Sequence, residues 1–266
     1  MPMGDSITAG DKVPGGYRAP LRDRITGQGW EVDFVGSQRQ PGDSSADPEH
    51  WGRPGWGISD TDAVINGRRY VSLQANEGPD GARRPGLWND LEAAISPRYF
   101  SSSGGVDNFL LLMVGTNDVV HQVVEHRDGA RPAGDRGNNG SGEQQNRIGE
   151  ATIDRLKAFL GRIDRLAGNA ALPLKVVLGT IPRFDPSWNA GRLKDPISAV
   201  MQQEAAEVNQ WIRERSGGLA LRNITITPVD QLAAVGSSLI DGLHPDADGY
   251  RRMADTWWEG IQKALV

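Results

Sequence analysis

Cysteine is missing from this chain of 266 residues. Its absence excludes disulfides, thiol nucleophiles and cysteine–zinc sites, but it does not fix the compartment, because a core of this size needs no covalent staples. Also missing is any run of about 18 apolar residues, so no segment reads as a membrane span. A basic excess is lacking as well: 29 Lys and Arg stand against 34 Asp and Glu, for a net charge of -5. That balance argues against a nucleic-acid partner, which leaves a basic footprint. Phe and Tyr are sparse, at 5 and 4, yet Trp occurs 8 times. Trp51, Trp56, Trp88 and Trp188 lie among Gly, Pro and charged residues, which reads as loop rather than core. Indoles on loops suit the flat faces of sugars or aglycones; lids over a core edge account for them equally well.

What is present is an alternation of strand and helix patterns. Strands are expected at Met1–Met3, Glu31–Val35, Asn108–Val114, Leu174–Gly179 and Asn223–Thr227. The third is apolar without alternation, as a parallel strand covered on both faces should be. Ile153, Leu156, Leu160, Ile163 and Ala167 recur at helical spacing and mark an amphipathic helix. Further helices are expected at 198–215, from Asp248 to the C-terminus, at Tyr17–Thr26 and at Ser59–Ile65. Strands alternating with helices imply right-handed βαβ units and a doubly wound sheet. The length fits one large α/β domain over residues 1–266. Two stretches resist this pattern: 66–87, rich in Gly, Pro and Arg, and the polar, Gly-rich 127–146. Both are expected to be surface insertions. Only three residues precede the first turn, a short start of the kind that loss of a signal peptide leaves.

Three short motifs carry chemistry. Gly4-Asp5-Ser6-Ile7-Thr8 follows the first strand, where a turn into a helix would expose the Ser6 hydroxyl at the carboxyl edge of the sheet; a plain helix N-cap is the alternative. Gly115-Thr116-Asn117-Asp118 follows the third strand. In a flavodoxin-like order 2-1-3-4-5 it lies beside the first, where the Asn117 amide could donate to an oxyanion; a self-bonded turn is the alternative. Asp241-Gly242-Leu243-His244-Pro245 puts a carboxylate three residues before an imidazole, close enough to fold back onto Nδ1 and leave Nε2 as proton acceptor. A surface histidine in a capping loop also fits that segment. Metal chemistry finds little support. His121 and His126 are spaced wrongly for one helical face, and Asp246-Ala247-Asp248-Gly249 lacks the downstream ligands of a calcium loop. No serine lies in G-x-S-x-G, which argues against the α/β-hydrolase fold.

In this order, at these strand ends, the three motifs resemble the blocks of the SGNH (GDSL-type) hydrolase superfamily. The remaining block corresponds to Gly52-Arg53-Pro54-Gly55-Trp56-Gly57-Ile58, with Gly55 rather than Gly57 as the oxyanion glycine. Three further segments are similar to its carbohydrate-esterase, acetyl xylan esterase-like branch: Met3 to Thr8 followed by Gly16-Tyr17-Arg18, Asp33-Phe34-Val35-Gly36-Ser37, and Gly249-Tyr250-Arg251-Arg252-Met253-Ala254. Gly57 stands where that branch usually has Thr.

The resemblance implies a three-layer α/β/α sandwich around a five-stranded parallel sheet. It also implies a serine esterase for short acyl, above all O-acetyl, esters on a carbohydrate. Ser6 would be the nucleophile, His244 the general base and Asp241 its orienting acid, with Ser6, Gly55 and Asn117 forming the oxyanion hole. Asp5, Trp56 and Trp188 would contact substrate. No cofactor or metal is implied, and the expected partner is a small-molecule or polysaccharide ester. Secretion is the expected localisation, and oligomeric state is left open. A lipase, thioesterase or acyltransferase with the same triad is the alternative within enzymes; an inactive carbohydrate-binding protein is the alternative outside them.

Overall fold

A computed structural model describes residues 1–40, 42–43, 47–58, 63–65, 68–70, 86–120, 148–185 and 197–266. Its central sheet has six strands: β1 (Pro2–Gly4), β2 (Gln38–Arg39), β3 (Glu49–Gly52), then β6 (Asn108–Met113), β7 (Leu174–Gly179) and β8 (Ile224–Val229). They lie in the order β2-β3-β1-β6-β7-β8. Every pairing is parallel except that of β2 with β3. The five parallel strands, counted along the chain, run 2-1-3-4-5, and β2 adds one antiparallel edge strand to the expected five. A separate hairpin pairs β4 (Ala63–Ile65) with β5 (Arg68–Tyr70).

Helices follow the strands: α1 (Ser6–Ala9), α2 (Arg18–Gly27), α3 (Leu87–Ala94), α4, described over 116–120, α5 (Ile148–Asn169), α6 (Ile197–Arg215), α7 (Gln231–Val235) and α8 (Ala247–Ala264). The core is split in two by the sheet. Leu110 and Leu112 of β6 join one cluster with Leu91 of α3, Phe159 of α5 and Val208 of α6. Leu111 and Met113, pointing the other way, join Ile7, Leu21 of α2 and Trp257 of α8. Alternate residues of one strand thus feed both apolar layers, which explains why β6 lacks any polar alternation.

Several expectations need correction. Residues 31–35 form no strand; the second parallel strand is Glu49–Gly52. Val32 and Phe34 do face the second core cluster, but the Phe34 N–H is taken by the Asp47 carboxylate at 2.6 Å rather than by a ladder. Conversely, the polar-looking Glu-His-Trp-Gly forms β3 because its position beside β1 buries it. Tertiary position here overrides strand propensity. The helix expected at Ser59–Ile65 is contradicted by β4; 59–62 lie outside the described residues. The stretch 66–87 contains β5 and ends in α3, while 127–146 lies outside the described residues. Trp51 and Trp88 are not loop residues: they sit on β3 and α3. Trp51 is buried, donating its Nε1–H to Asp90 at 2.8 Å, and Trp88 packs against the first cluster under the Arg162 guanidinium.

Candidate active site

The strands end in register. Gly4 pairs with Gly52 on one side and Met113 on the other, so the segments leaving β1, β3 and β6 emerge together at the switch point of the sheet. Two glycines permit the close approach. A Cβ on Gly4 would lie 2.2 Å from the Met113 carbonyl oxygen, and one on Gly52 would lie 2.5 Å from the Ala9 nitrogen. The chain therefore turns directly from β1 into α1, with Ser6 as the first helical residue. The cap is Asp5, whose Oδ1 accepts the Ile7 N–H at 2.9 Å. Asp5 rather than Ser6 is thus the cap, and the Ser6 hydroxyl is left free of that task.

That hydroxyl meets a histidine from the far end of the chain. His244 Nε2 lies 2.9 Å from Ser6 Oγ, and its Nδ1 lies 2.8 Å from Asp241 Oδ2. The other oxygen of Asp241 accepts the backbone N–H groups of Leu243, at 3.1 Å, and His244, at 2.8 Å. The carboxylate thus folds back on its own loop, made possible by Gly242 at φ +83°. Burial pushes the Asp241 carboxyl up, but the His244 amide, the His244 ring and the Leu243 amide outweigh it, leaving the group below the ordinary carboxylate range. Asp241 is consequently an anion at neutral pH. A hydroxyl, an imidazole and a carboxylate stand in line, in contact, with the imidazole able to accept the hydroxyl proton.

The expected oxyanion residues come to the same edge. Arg53-Pro54-Gly55-Trp56 closes a β-turn, with Trp56 N–H donating to the Arg53 carbonyl at 3.0 Å and Gly55 at φ +77°. Pro followed by a left-handed glycine is the pattern of a type II turn. Asn117, in the first turn of α4, donates an Nδ2 hydrogen to the Trp56 carbonyl at 2.9 Å. That bond fixes the plane of the amide and leaves its second hydrogen to point elsewhere. Next to it, Asp118 Oδ2 accepts the Ile58 N–H at 3.0 Å and Oδ1 pairs with Arg155 at 3.1 Å, both side chains being buried. Gly57 lies against that carboxylate, since a Cβ there would be 3.0 Å from Oδ2. Asn117 and Asp118 together clamp the 53–58 loop.

The expected substrate contacts fare unevenly. Asp5 is fully buried and caps α1, so its carboxyl lies in the scaffold of the Ser6 turn rather than on the open surface. Burial raises it to about 6, offset by the Ile7 amide, the His244 charge and the Thr116 hydroxyl. Trp56 is half-buried, with the Arg53 guanidinium 5.1 Å from its ring centroid and held by Asp90 and Ser37. Trp188 lies outside the described residues. The sequence carries no signal for the contacts that Arg18, Arg53, Arg155 and Tyr250 make. Arg18 and Tyr250 did stand in the segments quoted for the carbohydrate-esterase resemblance, and nothing in spacing alone marks a buried strut. Among the described residues, no group of three or more His, Asp or Glu is arranged to hold a metal.

Comparison with known proteins gives the family and the fold. The family profile described as GDSL-like Lipase/Acylhydrolase matches residues 1–257. The chain belongs to that family. A multidomain esterase from Ruminococcus flavefaciens is 26% identical over 274 residues, and this chain, matched along 100% of its length, spans 28% of that relative. Among solved structures, a carbohydrate esterase family 3 protein from Talaromyces cellulolyticus superposes with TM-score 0.54 at 20% identity, covering 99% of this chain and 96% of that one. An aryl esterase from M. smegmatis gives TM-score 0.56 at 14% identity, with 99% and 97% covered. At these identities the structural likeness speaks for the fold alone: a parallel sheet flanked by helices on both faces.

Proposed function

We propose that the chain, as a single catalytic domain of residues 1–266, is a serine esterase that removes short acyl groups, above all O-acetyl, from a carbohydrate. The observation that carries this reading is the unbroken line from Asp241 through His244 to Ser6, at 2.8 and 2.9 Å. Ser6 Oγ attacks the ester carbonyl carbon as its proton passes to His244 Nε2. The resulting imidazolium is held by the Asp241 carboxylate. Negative charge on the former carbonyl oxygen is met by the Ser6 and Gly55 backbone N–H groups and the Asn117 amide. Collapse of the tetrahedral species expels the sugar alkoxide, which takes the proton from His244. Water then attacks the acyl-serine with His244 again as base, releasing the carboxylic acid.

Two features favour a small acyl group and a polar alcohol. Among the described residues, the large exposed apolar side chains are Trp30, Val106, Ile240 and Val266. They stand far apart along the chain and form no exposed run of apolar sequence of the kind that would line a bed for a long acyl chain. The loop beside Gly55 instead presents the Trp56 ring backed by Arg53, a flat face rimmed by charge that suits a sugar. The test is acetate release from acetylated xylan alongside hydrolysis of 4-nitrophenyl esters of increasing chain length. Release from xylan with preference for acetyl is expected. Activity confined to long acyl chains would replace this reading with a lipase, and acyl transfer without hydrolysis would replace it with an acyltransferase.

A further inference from the structure

The nucleophile rides on a helix too short to hold itself. The four residues of α1 make about one turn, far below the length at which a helix is stable alone, so its position is imposed by what its carbonyls bind. Ser6 O accepts from the Gly10 and Asp11 amides, both at 3.0 Å. Thr8 O and Ala9 O accept from Arg18 Nη1, at 2.6 and 3.1 Å. These partners all lie within the same stretch of chain. The exception is Ile7 O: besides the Gly10 amide at 3.2 Å, it accepts the Tyr250 hydroxyl at 3.0 Å, from 243 residues away.

Tyr250 is joined stiffly to the catalytic histidine. His244 O accepts the Ile240 amide at 2.9 Å, and the Asp246 amide donates to Ser238 O at 3.0 Å, so the His244 loop is stitched on both sides. Asp246 then caps α8 through the Gly249 N–H at 2.8 Å, and Tyr250 follows in the first turn. Gly249 makes this junction tight, since a Cβ there would lie 2.6 Å from Ser238 O. The Tyr250 ring is buried beside Ile7, Tyr17 and Trp257, and burial holds its phenol well above the ordinary range, so it stays a neutral donor at any working pH.

Resting on the esterase reading, we propose that Tyr250 is a positioning residue: its bond to the Ile7 carbonyl ties the Ser6 turn to the segment bearing His244, and so sets the Oγ–Nε2 distance. The Tyr250–Ile7 bond and the Ser6–His244 bond are parallel ties between the same two segments. The first persists while the second is made and broken in each turnover.

The test is Tyr250→Phe in the full chain, which removes one hydroxyl while Ile7 O keeps its Gly10 donor and the ring keeps its packing. Tyr17→Phe is the control, because that hydroxyl shares the core and meets the Thr8 side chain of α1 but no carbonyl of it, and does not link α1 to the His244 segment. For 4-nitrophenyl acetate, kcat of Tyr250→Phe should fall about tenfold with KM within about twofold. The rate at which a serine-reactive phosphonate labels Ser6 should fall by the same factor. Tyr17→Phe should change neither. Wild-type kcat and labelling in Tyr250→Phe would overturn the proposal, as would equal losses in the two variants, which would indicate general loosening of the core. A wild-type protein that the phosphonate does not label at Ser6 would instead remove the esterase reading, and this proposal with it.

Discussion

Replacing Asp241 with asparagine should harm the enzyme more than replacing it with alanine, and the hydrogen bonds around that carboxylate say why. Oδ1 is fixed by two backbone donors, Leu243 N–H and His244 N–H, at 3.1 and 2.8 Å. In Asp241→Asn the amide oxygen must stay there, since an NH2 group would face two N–H groups. The NH2 is then aimed at His244 Nδ1, which becomes an acceptor and sends the ring proton to Nε2, the atom that must receive the Ser6 proton. Recovering the productive tautomer requires either turning the amide or facing donor with donor, at about 1–3 kcal/mol. The lost negative charge adds to this. A unit pair at about 4 Å is worth roughly 4 kcal/mol near a protein surface. Because the Asp241 side chain is 35% exposed, screening reduces that to about 2 kcal/mol. The sum of about 3–5 kcal/mol predicts a loss in kcat/KM of about 10²–10⁴. Asp241→Ala loses the charge but leaves the tautomer free, for a loss of about 30-fold. Initial rates on 4-nitrophenyl acetate give the order, and nitrogen NMR of the imidazole reads the tautomer. An asparagine variant at least as active as the alanine variant would refute the reasoning.

Other expectations follow from neighbouring contacts. On the proposed mechanism the Asn117 amide acts on charge that develops only in the transition state, so Asn117→Ala should lower kcat by about 10²–10³ with little change in KM; an unchanged kcat would exclude it from the oxyanion hole. Arg155→Met removes the cation beside the buried Asp118 carboxylate and should cost about 3–5 kcal/mol of stability, read from urea unfolding at neutral pH. His50 is buried, accepts the Gly52 N–H on Nδ1 at 2.9 Å, and is lowered to about 3 by burial and then by Arg18. In the unfolded chain it takes up a proton below its ordinary 6.5, so stability falls as the solution is acidified. Between about pH 7 and about pH 5 this residue should account for a loss of about 2 kcal/mol. His50→Asn, which keeps an acceptor for Gly52, should show a correspondingly shallower dependence in urea melts at the two pH values, whatever its stability at neutral pH.

The sequence displayed the parts of the site that are contiguous. Ser6 after β1, Asn117 after β6 and Asp241 with His244 each sit in a short motif that taken alone also reads as a cap or a turn, and only their joint order at strand ends sets them apart; alternation of strands with helices implies a doubly wound sheet without giving its strand order. What escaped was set by distant contacts. Glu49–Gly52 carries no strand signature, yet pairing with β1 makes it one, while Val32 and Phe34 bury themselves without entering the sheet. Trp51 reads as a loop indole because its neighbours are Gly, Pro and Arg; its Nε1–H bond to Asp90 depends on a partner 39 residues away. Nothing in the sequence around Asp5 marks its burial, yet it caps α1 from within the core.

The central claim is that Ser6 is a nucleophile activated by His244. Intact-mass analysis after treatment with a serine-reactive phosphonate tests it most directly, with wild type and Ser6→Ala side by side and the modified peptide mapped. One adduct on wild type, located at Ser6, and none on the alanine variant is the predicted result. Equal modification of the two proteins, or none of wild type at a concentration that hydrolyses esters, would contradict it.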